Sequence, residues 1–390
     1  MHNEPTTPMA WMLISTALLM LTLPGVTLFY GGMVRKKNAI NTMGLPLLAL
    51  ALVSLEWGLG AYLEAIVAGG SGTTERAAAG GSLRFAHHTM AAALALALVA
   101  GGIVERIRFS FFLVFGLLWT ALVYAPIARW LWGSGWLAGM GSLDFAGGSV
   151  IHISAGVTAL VAVLMIGPRK GYGRTEMQPH SLPLSLCGVG LIWVGWCGFS
   201  AGTGLASMKT AVSAFVAIQM ATAAGALSWT AAEWIQRDKP TALGTVSGAV
   251  AGLVAISPAA GYVGPLPAIV IGIGAGGLCY MAVNFVKAIL GYDDSLDVFG
   301  MHGVGGTWGM VATGLFASTD VNPDGSDGLF YGYPYQLFAQ LVAVVAVWAF
   351  AGGVTALLLK VLRLVMSPRV APDAEVLGLD LAQHGEKAYS

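Results

Sequence analysis

Two histidines in apolar runs are the residues of this sequence best suited to carry chemistry. His152 and His302 each lie a few residues into an apolar run, beside small residues such as Gly156 and Gly303. Small residues let membrane helices approach closely, so the two imidazoles can meet and share one hydrogen bond, one nitrogen donating and the other accepting. The alternative is two separate histidines, each bonded to a backbone carbonyl. A neutral polar pair on an apolar path suits a small solute that is uncharged, or that gives up and regains a proton.

Five further polar residues in apolar stretches are functional candidates, because polar groups, above all ionisable ones, are costly inside a bilayer. They are Glu56, Glu64, His87, His88 and Thr203. A structural contact between glutamate and histidine near the outer surface explains the first four equally well. Trp132 and Trp136, between two apolar runs, belong either to an aromatic belt at the membrane surface or to a cation–π site for a small cation.

Signals for a metal site, a cofactor or enzyme catalysis are missing from the sequence. It has no HExxH or GxSxG motif, and its three cysteines (Cys187, Cys197 and Cys279) lie in apolar stretches without metal-ligand spacing. The GxGxxG pattern at 272–277 lies inside an apolar run rather than at a strand–helix turn, so helix packing accounts for it. A net charge of zero gives no electrostatic reason to expect nucleic acid as a partner.

Composition places these residues in a polytopic membrane protein. The 390 residues are 56% hydrophobic and only 10% charged, whereas a soluble domain carries about a quarter charged residues. The 54 glycines lie mostly within apolar runs, where they permit close helix packing in lipid. No basic segment or cleavage site precedes the first apolar run, so we expect that run to stay as a spanning helix rather than a cleaved signal peptide.

Eleven windows are long and apolar enough for a membrane span, which needs roughly 20 residues. They are 9–32, 42–68, 86–105, 109–130, 148–167, 182–203, 208–235, 242–258, 263–289, 299–318 and 334–366. An odd number of spans places the termini on opposite sides of the membrane. With the N-terminus outside, only Arg76, Arg84, Arg129 and Lys209 of the 19 Lys and Arg residues remain outside. The positive-inside rule therefore favours an N-out, C-in chain.

A short internal similarity indicates two halves. Asp144 precedes His152 at the start of the fifth span, and Asp297 precedes His302 at the start of the tenth. Five helices separate the two pairs, so the halves would have opposite orientations. A 5+5 inverted repeat followed by a long C-terminal helix is the predicted all-α architecture, and such repeats place a permeation site between their halves.

Motifs along almost the whole chain resemble the ammonium transporter (Amt/Mep/Rh) family, and in particular its bacterial Amt members. In family order they are FYGGMVRKKN at 29–38, ERIRFS at 105–110, LDFAGG at 143–148, WCGFSAG at 196–202, DVFGMHG at 297–303 and GLDLAQHGEKAY at 378–389. The resemblance implies a homotrimer in the inner (plasma) membrane, a transmembrane domain at 1–366 and a cytoplasmic tail at 367–390. It also implies that the tail docks PII-class signalling proteins.

The resemblance further implies transport of ammonium or ammonia through a hydrophobic pore in each protomer. The cation is recruited at the outer mouth, loses its proton and passes a twin-histidine site. By this resemblance His152 and His302 are the pore histidines, Trp196 lines the conduit, and Phe199 is one of two stacked gate rings. Trp132 and Thr203 form the recruitment site, where the family has serine in place of threonine, and Asp144 supports the neighbouring loop and helix.

The third helix departs from the family pattern. Counting back from Glu105, the two phenylalanines that the family has there fall at His87 and Ala91. With Glu56, Glu64 and His88 nearby, we interpret this region as an altered entrance, in which Ala91→Phe should change uptake affinity or selectivity. The change leaves two alternatives open: an Amt-like ammonium sensor with little transport, or a neutral gas channel of the Rh type.

Overall fold

The computed structural model describes residues 6–67, 79–204 and 207–389, and these residues form helices joined by loops, with one isolated bridge between Ile107 and Arg369. The prediction of an all-α fold is confirmed for this part of the chain. The helices are α1 (Thr6–Met33), α2 (Ala39–Val67), α3 (Ala79–Ile103), α4 (Phe109–Trp119), α5 (Ala125–Trp132), α6 (Trp136–Gly139), α7 (Ser154–Ile166), α8 (Leu182–Thr203), α9 (Met208–Arg237), α10 (Ala242–Ile256), α11 (Pro265–Met281), α12 (Lys287–Leu290), α13 (Val304–Phe316), α14 (Pro334–Leu362) and α15 (Pro372–Leu377).

Single π-helical turns extend several of these helices. Thr120–Tyr124 joins α4 to α5, and Ala282–Val286 joins α11 to α12. Gly148–Ile153 leads into α7, and Phe299–Gly303 leads into α13. Such turns are rare in proteins overall, but those that occur are often found at functional sites.

Nine helical segments within the described residues are long and apolar enough to cross a membrane. Each overlaps one of the eleven predicted windows. Helix α10, which is shorter, and the segment 299–316 overlap the other two windows. The sequence pattern therefore placed a window on each of these helices, with ends that differ by up to seven residues.

Small residues hold the helices together while large apolar side chains face outward. Leu55, Leu227 and Ile289 are largely exposed, as expected of side chains that meet lipid. Helix α1 packs along α8, and a Cβ atom added to Gly188 would lie 2.4 Å from the backbone nitrogen of Phe29. Only glycine permits this approach, which is the packing that membrane helices favour.

A buried ionic cluster joins the loops at one end of the bundle. This end, which also carries the C-terminal tail, is here called the tail face, and its loops are 34–38, 104–108, 167–181 and 291–298. Glu105 accepts hydrogen bonds from Arg35 Nε at 2.8 Å and Asn38 Nδ2 at 2.7 Å, and it pairs with Arg169. Arg169 Nη2 also lies 2.7 Å from Asp293 Oδ1. Glu105 has a φ of +67°, a conformation that non-glycine residues rarely adopt, so these contacts hold a strained turn.

The arginines of the cluster keep its two buried carboxyl groups ionised. Burial raises the pKa of the Glu105 and Asp293 carboxyls, but the charge of Arg169 and the hydrogen bonds of the cluster outweigh burial. They hold the pKa of both carboxyls below the usual range, with Arg35 and Asn38 contributing at Glu105. A folded-state pKa below the unfolded value stabilises the fold at pH values above the unfolded pKa. This contribution is lost as the pH falls through the folded-state values.

The tail lies against the same face. The carboxylate of Asp380 accepts hydrogen bonds from the backbone nitrogens of Ile40, at 3.1 Å, and Asn41, at 2.8 Å, so it caps the first turn of α2. Glu375 accepts a hydrogen bond from the backbone nitrogen of Lys170 at 2.5 Å. The tail thereby connects the start of α2 with the loop that follows α7.

We expect Arg169→Leu to destabilise the protein strongly, because it leaves the buried carboxylates of Glu105 and Asp293 without their shared partner. Removing one partner of a buried ion pair costs roughly 3–5 kcal/mol. The thermal unfolding midpoint of detergent-solubilised protein measures the effect, with Arg174→Leu, an exposed position on the same loop, as the matched control. Equal midpoints for the two variants would contradict a stabilising role of the cluster.

Candidate functional site

The imidazoles of His152 and His302 lie face to face in the interior. Their Nδ1 atoms are 3.2 Å apart, and their rings stack with centroids 5.2 Å apart and planes 15° from parallel. Only 2% of His152 and 6% of His302 is exposed. Among the residues that the structure describes, no three His, Cys, Asp or Glu side chains are placed to hold a metal ion. The arrangement is a hydrogen-bonded pair between two helices.

Two close backbone contacts bring the histidines together. A Cβ atom on Gly156 would lie 2.2 Å from the backbone nitrogen of Gly303, and one on Gly306 would lie 2.7 Å from the carbonyl oxygen of Gly148. The absence of side chains therefore lets α7 and α13, with their preceding π-helical turns, cross in contact. Each histidine lies within one of those π-helical turns.

A buried carboxylate caps the start of each of the two helical segments. Asp144 accepts hydrogen bonds from the backbone nitrogens of residues 147, 148, 149 and 150, at 2.6–3.0 Å. Asp294 Oδ2 accepts one from the backbone nitrogen of Phe299 at 2.7 Å. The assignment of Asp297 as the counterpart of Asp144 is wrong, because its carboxylate bonds Lys287 Nζ at 2.6 Å. Asp294 has the matching position: 294 precedes 302 by the same interval as 144 precedes 152.

Ser257 determines how the two imidazoles carry their protons. Its hydroxyl donates to the carbonyl of Leu253 at 2.7 Å, so its oxygen accepts from Trp196 Nε1 at 3.0 Å and from His152 Nε2 at 3.3 Å. The hydrogen-bond network thus assigns the proton of neutral His152 to Nε2. Its Nδ1 must then accept, so Nδ1 of His302 is the donor and Nε2 of His302 carries a lone pair.

Aromatic rings continue from the pair toward the opposite end of the bundle from the tail. The ring centroids of His152 and Trp196 are 5.0 Å apart, and those of Trp196 and Phe199 are 5.3 Å apart. On the tail-face side of the pair a narrow cavity of about 30 Å³ is lined by both histidines and by apolar side chains such as Leu94, Leu98, Ile192 and Val250. A cavity of this size holds about one water-sized molecule.

A wider cleft of about 280 Å³ lies at the end of the bundle opposite the tail face, lined by Trp132, Asp144 and Thr203 among others. Trp132 Nε1 donates to the carbonyl of Asp144 at 2.7 Å, which fixes the indole. Thr203 is exposed, and its hydroxyl donates to the carbonyl of Phe199 at 3.1 Å. This cleft, here called the vestibule, therefore combines an aromatic face with a hydroxyl, and the hydrogen bond of Thr203 connects it to Phe199, the last ring of the series.

Of the residues that we assigned to an altered entrance, His87 and His88 lie side by side on α3, with ring centroids 6.2 Å apart, whereas Glu56 bonds a different helical segment. His87 packs on Phe199, with centroids 5.1 Å apart, and His88 packs on Trp132, with centroids 5.5 Å apart. Glu56 bonds elsewhere, accepting from the Thr120 hydroxyl at 2.5 Å. Ala91 is fully buried one turn below His87 on α3. The side chain of Glu64 lies outside the described residues.

Sequence reasoning missed three residues that complete the site. Ser257 holds Trp196 and His152, Asp294 caps the second half-site, and Thr16 bonds His87. A serine or threonine in an apolar helix gives no specific signal, because its hydroxyl usually bonds a carbonyl of its own helix. For Asp294 the equal interval to the histidine was a usable signal.

Comparison with known proteins identifies the family. The sequence profile of the Ammonium Transporter Family matches residues 10–389. The chain belongs to the ammonium transporter family. An ammonium transporter of Bacillus subtilis (strain 168) is 45% identical over 395 residues, with 97% of each chain covered. The family predicted from the sequence motifs is thereby confirmed.

Solved structures show the same fold for this ammonium transporter family member. Mep2 of Candida albicans superposes with a TM-score of 0.86 at 34% identity, covering 98% of this chain and 90% of that one. A protein described as a sensor Amt protein superposes with a TM-score of 0.86 at 25% identity, covering 97% of this chain and 98% of that one. The family consists of membrane transporters, in keeping with the prediction that the chain is no enzyme.

We expect Gly156→Ala to separate the two histidines, because its Cβ has no room beside Gly303. Overpacking of this kind typically costs about 1–3 kcal/mol. A structure of the variant should show the Nδ1–Nδ1 separation beyond hydrogen-bonding distance, together with a lowered unfolding midpoint. Gly353→Ala on α14, where a Cβ would meet no atom within 4 Å, is the control. An unchanged histidine separation in the Gly156 variant would refute this account of the contact.

Proposed function

We propose that the protein conducts ammonium across the membrane by binding the cation in the vestibule, removing its proton and passing ammonia along the twin histidines. The observation that carries this proposal is the contact between His152 and His302 at the head of a narrow apolar cavity. The family supports ammonium transport in general, and the route through these residues is our own inference.

The energetics favour deprotonation over passage of the intact cation. Moving a bare ammonium-sized ion into an apolar medium costs on the order of 20 kcal/mol by an idealised Born estimate. Removing its proton at pH 7 costs only about 4 kcal/mol, if ammonium is treated as an amine with a pKa near 10. A pore lined by leucine, isoleucine and valine therefore admits ammonia far more readily than ammonium.

Each group then has a separate part in the proposed mechanism. In the vestibule, the face of Trp132 attracts the cation through its π electrons and the Thr203 hydroxyl accepts an N–H hydrogen bond. Phe199 and Trp196 exclude water from the path. The Nε2 lone pair of His302 takes the proton that ammonium gives up, or accepts a hydrogen bond from the ammonia that remains. The Nδ1–Nδ1 hydrogen bond allows a proton added at one ring to pass to the other, while neutral ammonia moves through the cavity.

The finer architecture belongs to the same proposal. We infer eleven membrane crossings, with the N-terminus outside and the C-terminus inside, and a 5+5 inverted repeat followed by the long helix α14. The capped histidine segments at Asp144 and Asp294 support two related halves. The chain then divides into a transmembrane domain at 1–366 and a cytoplasmic tail at 367–390, whose described part covers the tail face.

The assembly and the partners are proposed from the family resemblance. We infer a homotrimer in the inner (plasma) membrane, with one pore in each protomer. A PII-class signalling protein would dock on the tail face, where the tail and the loops that it contacts form the available surface. The membrane setting itself agrees with the apolar helices and with the large apolar side chains on their exposed faces.

Electrical recordings on an ammonium pulse test the function. We expect proteoliposomes with the wild-type protein to give an ammonium-dependent current, and His152→Ala and His302→Ala to reduce it on the order of tenfold or more, as loss of a positioned proton-transfer group does. His180→Ala, a half-buried histidine of the tail face, is the matched control and should keep the current.

Other outcomes would decide between the alternatives. Currents unchanged in both pore variants would rule out the histidine relay. Ammonia flux without current would indicate a neutral gas channel. Ammonium binding without flux would indicate a sensor, which the higher identity to a transporter (45%) than to the sensor Amt protein (25%) disfavours.

A further inference from the structure

His87 is buried with one ring nitrogen unpartnered. Only 6% of the residue is exposed, and its Nε2 has no hydrogen-bond partner within the described part of the chain. Leaving a buried polar atom without a hydrogen bond costs about 1–3 kcal/mol of folding free energy. An unpaired atom of this kind in a well-packed interior therefore needs an explanation, such as a solute or water molecule that binds it. The proposed mechanism so far leaves this nitrogen without a role.

Thr16 determines which nitrogen of His87 carries the proton. The Thr16 hydroxyl donates to the carbonyl of Met12 at 2.7 Å, and its oxygen lies 3.2 Å from His87 Nδ1. A carbonyl can only accept, so the hydroxyl proton is used there and His87 Nδ1 must be the donor in the second bond. The neutral ring then has its proton on Nδ1 and a free lone pair on Nε2. That lone pair points away from a different edge of the ring than the edge that faces Thr16.

The position of His87 extends the aromatic series that leads to the twin histidines. Its ring packs on Phe199, which packs on Trp196, which packs on His152, with successive centroids 5.1, 5.3 and 5.0 Å apart. Its neighbour His88 packs on Trp132 of the vestibule. His87 therefore lies at the end of the ring series that is farther from the twin histidines, and the next residue in the chain contacts a tryptophan of the vestibule.

Close packing fixes the imidazole at that point. A Cβ on Gly202 would lie 1.5 Å from Ser15 Oγ and 3.6 Å from His87 Cε1. Helices α1 and α8 thus meet at Gly202, and the ring is held between Thr16 on one helix and Phe199 on the other. A buried lone pair that is held in a fixed direction is a selective acceptor for a solute with N–H donors.

We propose that His87 is a third pore histidine, whose Nε2 accepts a hydrogen bond from the N–H of ammonium between the vestibule and Phe199. This inference rests on the proposed function and adds a substrate-binding residue to it. The acceptor replaces one water of the cation's hydration shell as the cation leaves the vestibule, and it distinguishes ammonium from cations that have no N–H group.

Two conservative variants separate a substrate contact from a structural one. His87→Asn keeps an amide that can donate to Thr16, as Nδ1 does, but has no acceptor at the place of Nε2. His87→Gln carries an amide oxygen to the place of Nε2 and gives up the Thr16 bond. His87→Phe removes both groups and keeps a ring of similar size against Phe199.

We expect the Asn and Phe variants to raise the half-saturating ammonium concentration of the proteoliposome current about tenfold or more, the usual effect of losing a hydrogen bond to a charged group. The Gln variant should stay within about threefold of the wild type. A structural role predicts the reverse order, with Gln impaired and Asn normal, and that order, or equal values in all variants, would overturn the proposal.

A binding measurement keeps this test separate from that of the proposed function. The ammonium dependence of the unfolding midpoint in detergent reports binding to the folded protein, and it should rank the variants in the same order whether or not charge crosses the membrane. If the wild-type protein gives no current but the unfolding midpoints rank the variants as predicted, the transport proposal is refuted and His87 remains a binding residue. Normal wild-type current without the ranking would refute the role of His87 alone.

Discussion

The whole site depends on the high cost of polar and charged groups inside an apolar bundle. His152 and His302 can be buried there because each provides the hydrogen bond that the other needs. Their contact requires two helices to meet without side chains between them, which is why Gly156 faces Gly303. It also requires a defined proton on each ring, which Ser257 supplies through its bond to His152. The same cost makes an intact cation a poor occupant of the cavity that follows.

The two halves of the site bury their polar side chains in the same way. In each half, a buried aspartate caps a segment that begins with a π-helical turn, and the histidine lies within that turn. The capping differs in extent, since Asp144 has four backbone donors whereas Asp294 Oδ1 has no hydrogen-bond partner among the described residues. Burial raises the pKa of both carboxyls, that of Asp294 to about 6. The two aspartates therefore share a cause of their pKa shift but differ in the number of backbone donors that they bind.

Much of the helical arrangement could be predicted from the sequence, because apolar runs of bilayer length have few alternative structures. Contacts between such runs were harder to predict. The meeting of the two histidines stayed one of two alternatives, since small neighbours permit an approach without requiring it. A short similarity between the segments that begin at Asp144 and Asp297 predicts Asp297 as the second aspartate, whereas the capping geometry favours Asp294, farther from the histidine. Glu56 and His87 were grouped by their unusual types, yet they bond Thr120 and Thr16 on different helices.

The docking of the tail has a practical consequence for preparing the protein. Tyr389 hydrogen-bonds His180 at 3.0 Å, and its ring lies 5.2 Å from the ammonium nitrogen of Lys36. An affinity label placed directly after Tyr389 would be joined to a residue that contacts His180 and Lys36, so tension on a short label would act on those contacts. A long hydrophilic spacer before the label lets purification proceed without disturbing those contacts.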